Sequence, residues 1–277
     1  MLTPWMFILN PFERWEPLLA DFKHVFDLWE AGGVRGIVVG RLSFAAADGT
    51  EIPTFPADAA IYSSHGVTPP PERPRDVDKE ARFRAMLDDA ARRGWEILIF
   101  DVRHDGGRLP AQDDPHGVAH TMAAAQDVLN AYPMAHGIIL DGPGELPYEL
   151  QPHRNREFLS VDTYRARMEV LGYDMDRIDR GVAHLRAAFQ RLTPQRVRYL
   201  APGGVMGALQ LFDMNEDVLY WLQSRQELSR AWSTSIREGY DDMLDRLGRT
   251  AKIGAIPRTA AFSGLTGQDC THLGQCF

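Results

Sequence analysis

Two carboxylates follow a short apolar run near the middle of the chain. The run GIIL at 137–140 leads into Asp141, a Gly-Pro-Gly turn and then Glu145. Such a run predicts a strand buried on both faces of a parallel sheet, and the glycines and proline predict its end. Ligands bind at the carboxyl ends of parallel strands, so Asp141 and Glu145 are candidate functional residues. The alternative is that Asp141 caps the turn and Glu145 is a solvated loop charge.

Polar side chains also follow two other predicted strands. Arg41 follows the run GIVVG, and Asp101, Arg103 and His104 follow the run WEILIF. The carboxyl ends of parallel strands meet at one edge, so these groups are expected near Asp141. The alternatives are an ordinary exposed loop for Arg103 and His104, and an ion pair with a strand-end aspartate for Arg41.

Carboxylate, arginine, histidine and aromatic side chains around one cleft suit a polyhydroxylated ligand. Hydrolysis of a glycosidic bond needs two carboxylates that flank the bond, one of which acts as a general acid. The loop residue Glu145 is the predicted acid, and Asp141 is expected to hold Glu145 or a sugar hydroxyl. The predicted substrate-binding residues are Arg41, Asp101, Arg103, His104 and Tyr148.

The histidines permit a second interpretation. His116 and His120 are four residues apart, which places two imidazoles on one face of a helix, and His104 is near in sequence. A metal-dependent hydrolase is therefore an alternative. Asp114 and Pro115, however, also form a helix-start signal, and neither His-x-His after the first strand nor His-Glu-x-x-His occurs. We expect no metal.

Composition and missing motifs narrow the class of protein. The chain has 277 residues, is 44% hydrophobic and 25% charged, and carries a formal net charge of −8, which argues against a nucleic-acid partner. No apolar run approaches the ~18 residues of a membrane span, so we expect no membrane partner and a cytoplasmic location. The glycine patterns of dinucleotide sites and P-loops are absent, as is Gly-x-Ser-x-Gly. We expect no cofactor.

Apolar runs and amphipathic segments alternate along the first half of the chain, which predicts parallel strands joined by helices. Residues 59–62 could add a short strand. The other predicted strands are 5–9, 36–40, 95–100, 137–140 and 251–256, and the predicted helices are 14–31, 78–93, 120–131, 175–192 and 215–247.

The predicted organisation has three parts. Residues 1–150 supply the first βα units, 151–250 form a charged helical insertion or lid after strand four, and 251–277 supply a fifth strand unit. The roughly 177 residues outside the insertion fall short of the ~250 that a (β/α)8 barrel commonly takes. Either the fold is an open α/β sheet, or the chain is the N-terminal portion of a longer barrel, comprising about strands one to five.

Three segments resemble TIM-barrel glycoside hydrolases. GWEILIFDVRHDG and HGIILDGPGE resemble their third and fourth strand units, most closely those of glycosidase-like barrels found in bacterial genomes. The segment KIGAIPRTAAFSGLTGQDCTHLGQCF resembles the fifth unit.

This resemblance implies an incomplete TIM-type barrel and a role for its strand-four carboxylate. In many retaining barrel glycosidases the acid/base follows strand four and the nucleophile follows strand seven. Glu145, or Asp141, matches the first position, and the second has no counterpart unless Asp101 or Asp269 substitutes. The expected function is glycosidic bond hydrolysis; the alternatives are a non-catalytic carbohydrate-binding barrel, a truncated fragment, and the metal-dependent hydrolase.

Overall fold

The computed structural model describes residues 4–9, 12–40, 42–45, 51–72, 75–100, 115–141, 161–211, 213–256 and 276. The strands in this part are β1 (Trp5–Ile8), β2 (Gly36–Val39), β3 (Ser43–Ala45), β4 (Glu51–Pro53), β5 (Glu96–Phe100), β6 (Gly137–Asp141) and β7 (Lys252–Ile256). The helices are α1 (Glu16–Ala20), α2 (Phe22–Ala31), α3 (Ala59–Ser64), α4 (Val77–Arg92), α5 (Pro115–Ala131), α6 (Val161–Val170), α7 (Met175–Gln190), α8 (Pro194–Leu200), α9 (Gly204–Leu211) and α10 (Glu216–Leu247).

Five strands form one sheet in the order β1-β2-β5-β6-β7, and every neighbouring pair is parallel. These are the five main strands that the sequence predicts. The predicted α/β class with a parallel sheet is therefore confirmed. Within the described residues the sheet is not closed. The short strands β3 and β4 pair with each other in an antiparallel hairpin.

The short segment at residues 59–62, predicted as a possible strand, is helical in the structure, so that prediction is wrong. The Asp58 carboxylate accepts the N–H of Ala60 at 2.9 Å and caps the first turn of α3. Ile61 and Tyr62 then lie on one face of α3 and pack in a small apolar cluster with Ala123 of α5. A cap and a partner helix therefore decide the conformation of this segment.

The predicted helix over 14–31 is two helices. The backbone of Asp21 has φ −141° and ψ 36°, which ends α1 and starts α2. Both helices nevertheless pack an apolar side inward, because Trp15, Leu19 and Phe26 are all almost fully buried. The break at Asp21 therefore leaves an apolar side on each of the two shorter helices.

An aromatic cluster packs where α1 meets α4. Phe83 of α4 lies at the centre, with its ring centroid 5.6 Å from Phe12, 5.2 Å from Trp15 and 5.3 Å from Tyr132. All of these rings are buried and meet edge to face, an arrangement that adds to the energy of apolar burial. The cluster fixes α4 against the first helix of the chain.

The described residues fall into two compact units. The first comprises those within 1–143 and 234–257 together with residue 276, and the second comprises those within 144–233. The first unit holds the sheet with α1–α5, and the second is helical. Helix α10 contributes residues to both. No helix in the described part of the chain has the length and apolarity that crossing a membrane requires.

Candidate functional site

The register of the parallel strands gives the sheet two different faces. Residues paired across parallel strands share a face, and alternate residues along a strand lie on opposite faces. On one face Ile37, Ile97 and Ile138 are fully buried. On the other face Phe7 is 52% exposed and Leu98 and Ile139 are partly exposed, whereas Val38 and Phe100 are buried. We call this the open face, and by register its positions are Trp5, Phe7, Gly36, Val38, Gly40, Glu96, Leu98, Phe100, Gly137, Ile139, Asp141, Lys252, Gly254 and Ile256.

Two aromatic rings of the open face lie across glycines of the neighbouring strand. A Cβ atom at Gly36 would lie 2.7 Å from Cδ2 of Trp5, and one at Gly40 would lie 2.7 Å from Cβ of Phe100. Real Cβ atoms do not approach so closely, so glycine is required at both positions. Phe100, which is only 5% exposed, thereby packs over the end of β2 at the carboxyl edge of the sheet.

Charged groups on the open face lie at the amino end of the strands. Glu96 of β5 and Lys252 of β7 form an ion pair across β6. The strand between them carries Gly137, where a Cβ atom would lie 2.0 Å from the carbonyl oxygen of Lys252. The positive charge of Lys252 and the negative charge of Glu96 are therefore paired with each other at the amino end of the strands.

Asp141 is the predicted site residue that the structure describes. It is the last residue of β6, and its backbone pairs with Ile256 at the end of β7. The sequence-based placement of Asp141 at the carboxyl edge of the sheet agrees with this position. The side chains predicted to join it lie outside the described residues: Arg41, Asp101, Arg103, His104, Glu145 and Tyr148.

The order of the strands shows that the strands preceding these predicted site residues are neighbours in the sheet. Arg41 follows Gly40 directly in the chain, and Asp101 follows Phe100, the last residue of β5. The strands β2, β5 and β6 are consecutive neighbours in the sheet. The three chain segments that carry the predicted site therefore leave the sheet from adjacent strands, and the roles assigned to their side chains stay predictions.

The described residues do not support the alternative that the protein is a metal-dependent hydrolase. Among them no three histidine, cysteine, aspartate or glutamate side chains are grouped so that they could hold a metal ion. His104 lies outside the described residues, and the structure does not describe the side chain of His116.

A buried acid that the sequence analysis did not single out lies in the same unit. Asp127 of α5 is 2% exposed, and its Oδ1 accepts the N–H of Asp58 at 3.2 Å. The hydroxyl of Tyr62, itself fully buried, lies beside this carboxylate. Burial raises the pKa of Asp127 to about 6, against the hydrogen bonds that favour the charged form. Burial and the neighbouring carboxylate also raise the pKa of Tyr62.

Position and composition could have revealed Asp127. It falls on the side of α5 that carries Ala123, Ala124 and Val128, all of which are buried. A single carboxylate within an apolar helical face is a detectable signal, because burying an unpaired charge is costly. Its partners could not be found in the same way, since Asp58 is 69 residues distant in the chain.

A pocket of about 560 Å³ opens at the amino end of the sheet, and its lining includes Met134, His136, Arg249 and Lys252. The guanidinium of Arg249 donates to the carbonyl oxygens of Leu129 at 2.6 Å, Pro133 at 3.2 Å and Ala135 at 2.7 Å. These bonds cap the carboxyl end of α5. Arg249 therefore has a structural role here, at the edge of the sheet opposite Asp141.

No protein-family model, curated protein or solved structure matches this chain. The chemistry has to be inferred from the residues of the chain itself.

Proposed function

We propose that this protein is a glycoside hydrolase-like, carbohydrate-active protein whose sheet is part of a TIM-type barrel wall. The observation that carries the proposal is the sequential order of five parallel strands with a carboxylate, Asp141, ending the fourth of them. Catalytic groups of TIM barrels come from the carboxyl ends of several strands, which is where the predicted residues of this chain fall in sequence.

Strand order supports a barrel wall over a doubly wound sheet. In a doubly wound fold the strand order reverses at a switch point, where ligands bind between the two halves. The order β1-β2-β5-β6-β7 has no such reversal among the described strands. Right-handed crossovers that always advance in the same direction place their helices on one face, as in a barrel. The second, open face then corresponds to the barrel interior.

The residues of the open face also fit this interpretation. Barrel interiors are filled by layers of side chains from neighbouring strands. Here Val38, Leu98 and Phe7 lie at one level of the register, and Phe100 and Ile139 lie at the next. Gly36 and Gly40 make room for the side chains of Trp5 and Phe100, and Gly137 makes room for the backbone of Lys252. This alternation of large side chains with glycines suits a curved sheet better than a flat, solvated one.

The proposed reaction divides the chemistry among the predicted residues. Glu145 donates a proton to the leaving oxygen as the glycosidic bond breaks, and water supplies the oxygen of the new bond at the anomeric carbon. The proton that this water loses passes to the second carboxylate, for which Asp101 or Asp269 is the candidate, and Asp141 holds Glu145 or a sugar hydroxyl. Asp101, Arg103 and His104 bind hydroxyl groups, with Arg41 and Tyr148 as further contacts.

The first test is the replacement of Glu145 by Gln, which keeps the size of the side chain and removes the proton. Hydrolysis of a panel of aryl glycosides and oligosaccharides is expected to fall by roughly 10²–10⁴-fold, the usual contribution of a general acid. The matched control is Glu149→Gln, because Glu149 is a second carboxylate only four residues further along the chain. This control is expected to keep the activity.

Thermal melts with the same sugars separate binding from catalysis, because a ligand raises the melting temperature of the state that it binds. Glu145→Gln is expected to retain the sugar-induced shift. Undiminished hydrolysis by Glu145→Gln would show that this residue is not the acid. A sugar-induced shift without hydrolysis by the wild-type protein would favour the non-catalytic binding barrel, and the absence of both would contradict a carbohydrate function.

A further inference from the structure

Helices α8 and α9 form a helical hairpin, joined by the 3₁₀ turn Ala201–Gly203, that exposes apolar side chains. Helix α8 has no buried residue. Tyr199 is 85% exposed, Met206 65%, and Val197 and Leu209 39% each. These four exposed apolar residues lie within one segment of eighteen residues, and exposed apolar patches mark interaction sites.

The two helices of the hairpin are held together, so their exposed surface is preformed. A Cβ atom at Gly207 of α9 would lie 1.8 Å from the carbonyl oxygen of Leu200, which shows that the backbones approach closely. Arg196 of α8 donates to the carbonyl oxygen of Gln210 at 3.0 Å. Tight backbone contact and this hydrogen bond fix α9 against α8, and the apolar side chains remain outside.

The charge of the hairpin differs from that of the whole protein. Residues 192–212 contain two arginines, Arg196 and Arg198, and no aspartate or glutamate, whereas the chain carries a net charge of −8. Within the described residues Arg198 has no ion-pair partner. The next arginine towards the N-terminus, Arg191, pairs with Asp213 at 3.0 Å. The hairpin is therefore a small basic and apolar surface on an acidic protein.

We propose that the hairpin α8–α9 binds the surface of a membrane that contains anionic phospholipid. An interfacial segment of this kind combines apolar side chains, which enter the acyl boundary, with arginines, which meet anionic headgroups. Tyrosine favours the same boundary because its ring is apolar and its hydroxyl is polar. This proposal departs from the sequence-based expectation of no membrane partner, which rested on the lack of a spanning segment. A hairpin that lies on a membrane needs no spanning helix, so the proposal agrees with the lengths of the described helices.

A second copy of the chain fits this surface less well. The common two-fold interface brings the same patch of each subunit together, so Arg196 and Arg198 would meet their own counterparts without an acid in the hairpin to offset them. A stable protein partner also covers roughly 800 Å² and about 20–30 residues on each side, whereas the hairpin has eighteen residues. Binding to a lipid surface requires neither a self-complementary patch nor a minimum interface area.

The test is co-sedimentation of the full chain with vesicles of phosphatidylcholine alone and of phosphatidylcholine mixed with phosphatidylglycerol. We expect binding to the mixed vesicles, weakened by salt, and little binding to the neutral ones. The double variant Met206→Ser/Leu209→Ser is expected to bind about tenfold more weakly through lost apolar burial. Arg198→Gln is expected to bind about fivefold more weakly.

The matched control is Leu28→Ser/Val77→Ser, because Leu28 and Val77 are exposed apolar residues on α2 and α4. This control is expected to bind like the wild-type protein, and circular dichroism checks that each variant is folded. Equal affinity for neutral and mixed vesicles, or no binding to either, would overturn the proposal. So would a dimer in sedimentation velocity that the Met206→Ser/Leu209→Ser variant abolishes, since that result would assign the surface to a second copy.

Discussion

Asp127 couples the folding of the first unit to pH. The carboxylate lies between α5 and the start of α3, where it accepts the N–H of Asp58 and faces the hydroxyl of Tyr62. The neighbouring Asp58 carboxylate adds to the effect of burial, and together they raise the pKa of Asp127 to about 6. An aspartate in an unfolded chain has a pKa of about 3.9, so the folded state holds this proton more tightly.

The sign of the resulting pH dependence follows from linkage. The stability that this proton contributes is complete below about pH 4 and is lost as the pH rises through about 6. Asn at position 127 keeps an oxygen acceptor for the N–H of Asp58 and cannot ionise. We therefore expect the stability of Asp127→Asn, measured against wild type by chemical denaturation, to rise between pH 4 and pH 7 by about 2 kcal/mol.

A second substitution isolates this effect from the other titrating groups. The matched control is Asp88→Asn, which removes one exposed carboxyl group from α4 and gives the pH profile of a variant that lacks a surface carboxylate. If Asp127→Asn differs from wild type by the same amount at every pH, then the pKa of Asp127 is the same in the folded and unfolded states and the raised pKa is wrong.

At the scale of elements, the end of α10 secures the end of α5. Helix α10 finishes at Leu247, and Gly248 then adopts a left-handed backbone with φ 58°. A glycine tolerates this conformation and commonly ends a helix in this way. The turn leads directly into Arg249, whose guanidinium satisfies three carbonyl groups at the carboxyl end of α5 and just beyond it. Cations are favourable at that end of a helix dipole.

Arg249→Met tests this contact, because methionine keeps an unbranched apolar stem and loses every donor. The carbonyl groups of Leu129, Pro133 and Ala135 then lose their partner, which we expect to lower the free energy of unfolding by about 3 kcal/mol. Arg246→Met is the control, because Arg246 is exposed and lies in the last turn of α10. A loss of stability from Arg249→Met no larger than that from the control would contradict the structural role.

The elements that the sequence predicts well are those with a strong pattern in their own residues. Apolar runs bounded by glycine gave β2 and β6, and periodic apolar residues gave α7 and α10. The segment at Ala59 was misassigned because its conformation depends on the Asp58 cap and on α5, and the helix break at Asp21 has no glycine or proline to mark it. Asp141 was placed at a strand end by pattern alone, whereas Asp127 and Arg249 act through tertiary contacts.

At the scale of the whole molecule, stability is expected to be uneven between the sheet and the hairpin. The strands β2, β5 and β6 each have neighbours on both sides, and Ile37, Ile99 and Ile138 are fully buried. The hairpin α8–α9 buries few side chains and joins the rest of the second unit through α7 and α10 in sequence. Segments with few buried contacts open locally at low free energy, whereas core strands open only when the unit unfolds.

Hydrogen exchange followed by mass spectrometry measures this difference in the intact chain. We expect peptides from β2, β5 and β6 to exchange several orders of magnitude more slowly than peptides from α8 and α9. Adding vesicles that contain phosphatidylglycerol is expected to slow exchange in the hairpin and leave the strands unchanged, because the membrane covers only the hairpin. Hairpin peptides that are already as protected as the strands would show that other parts of the protein cover Tyr199 and Met206, and that the exposed surface is not available to lipid.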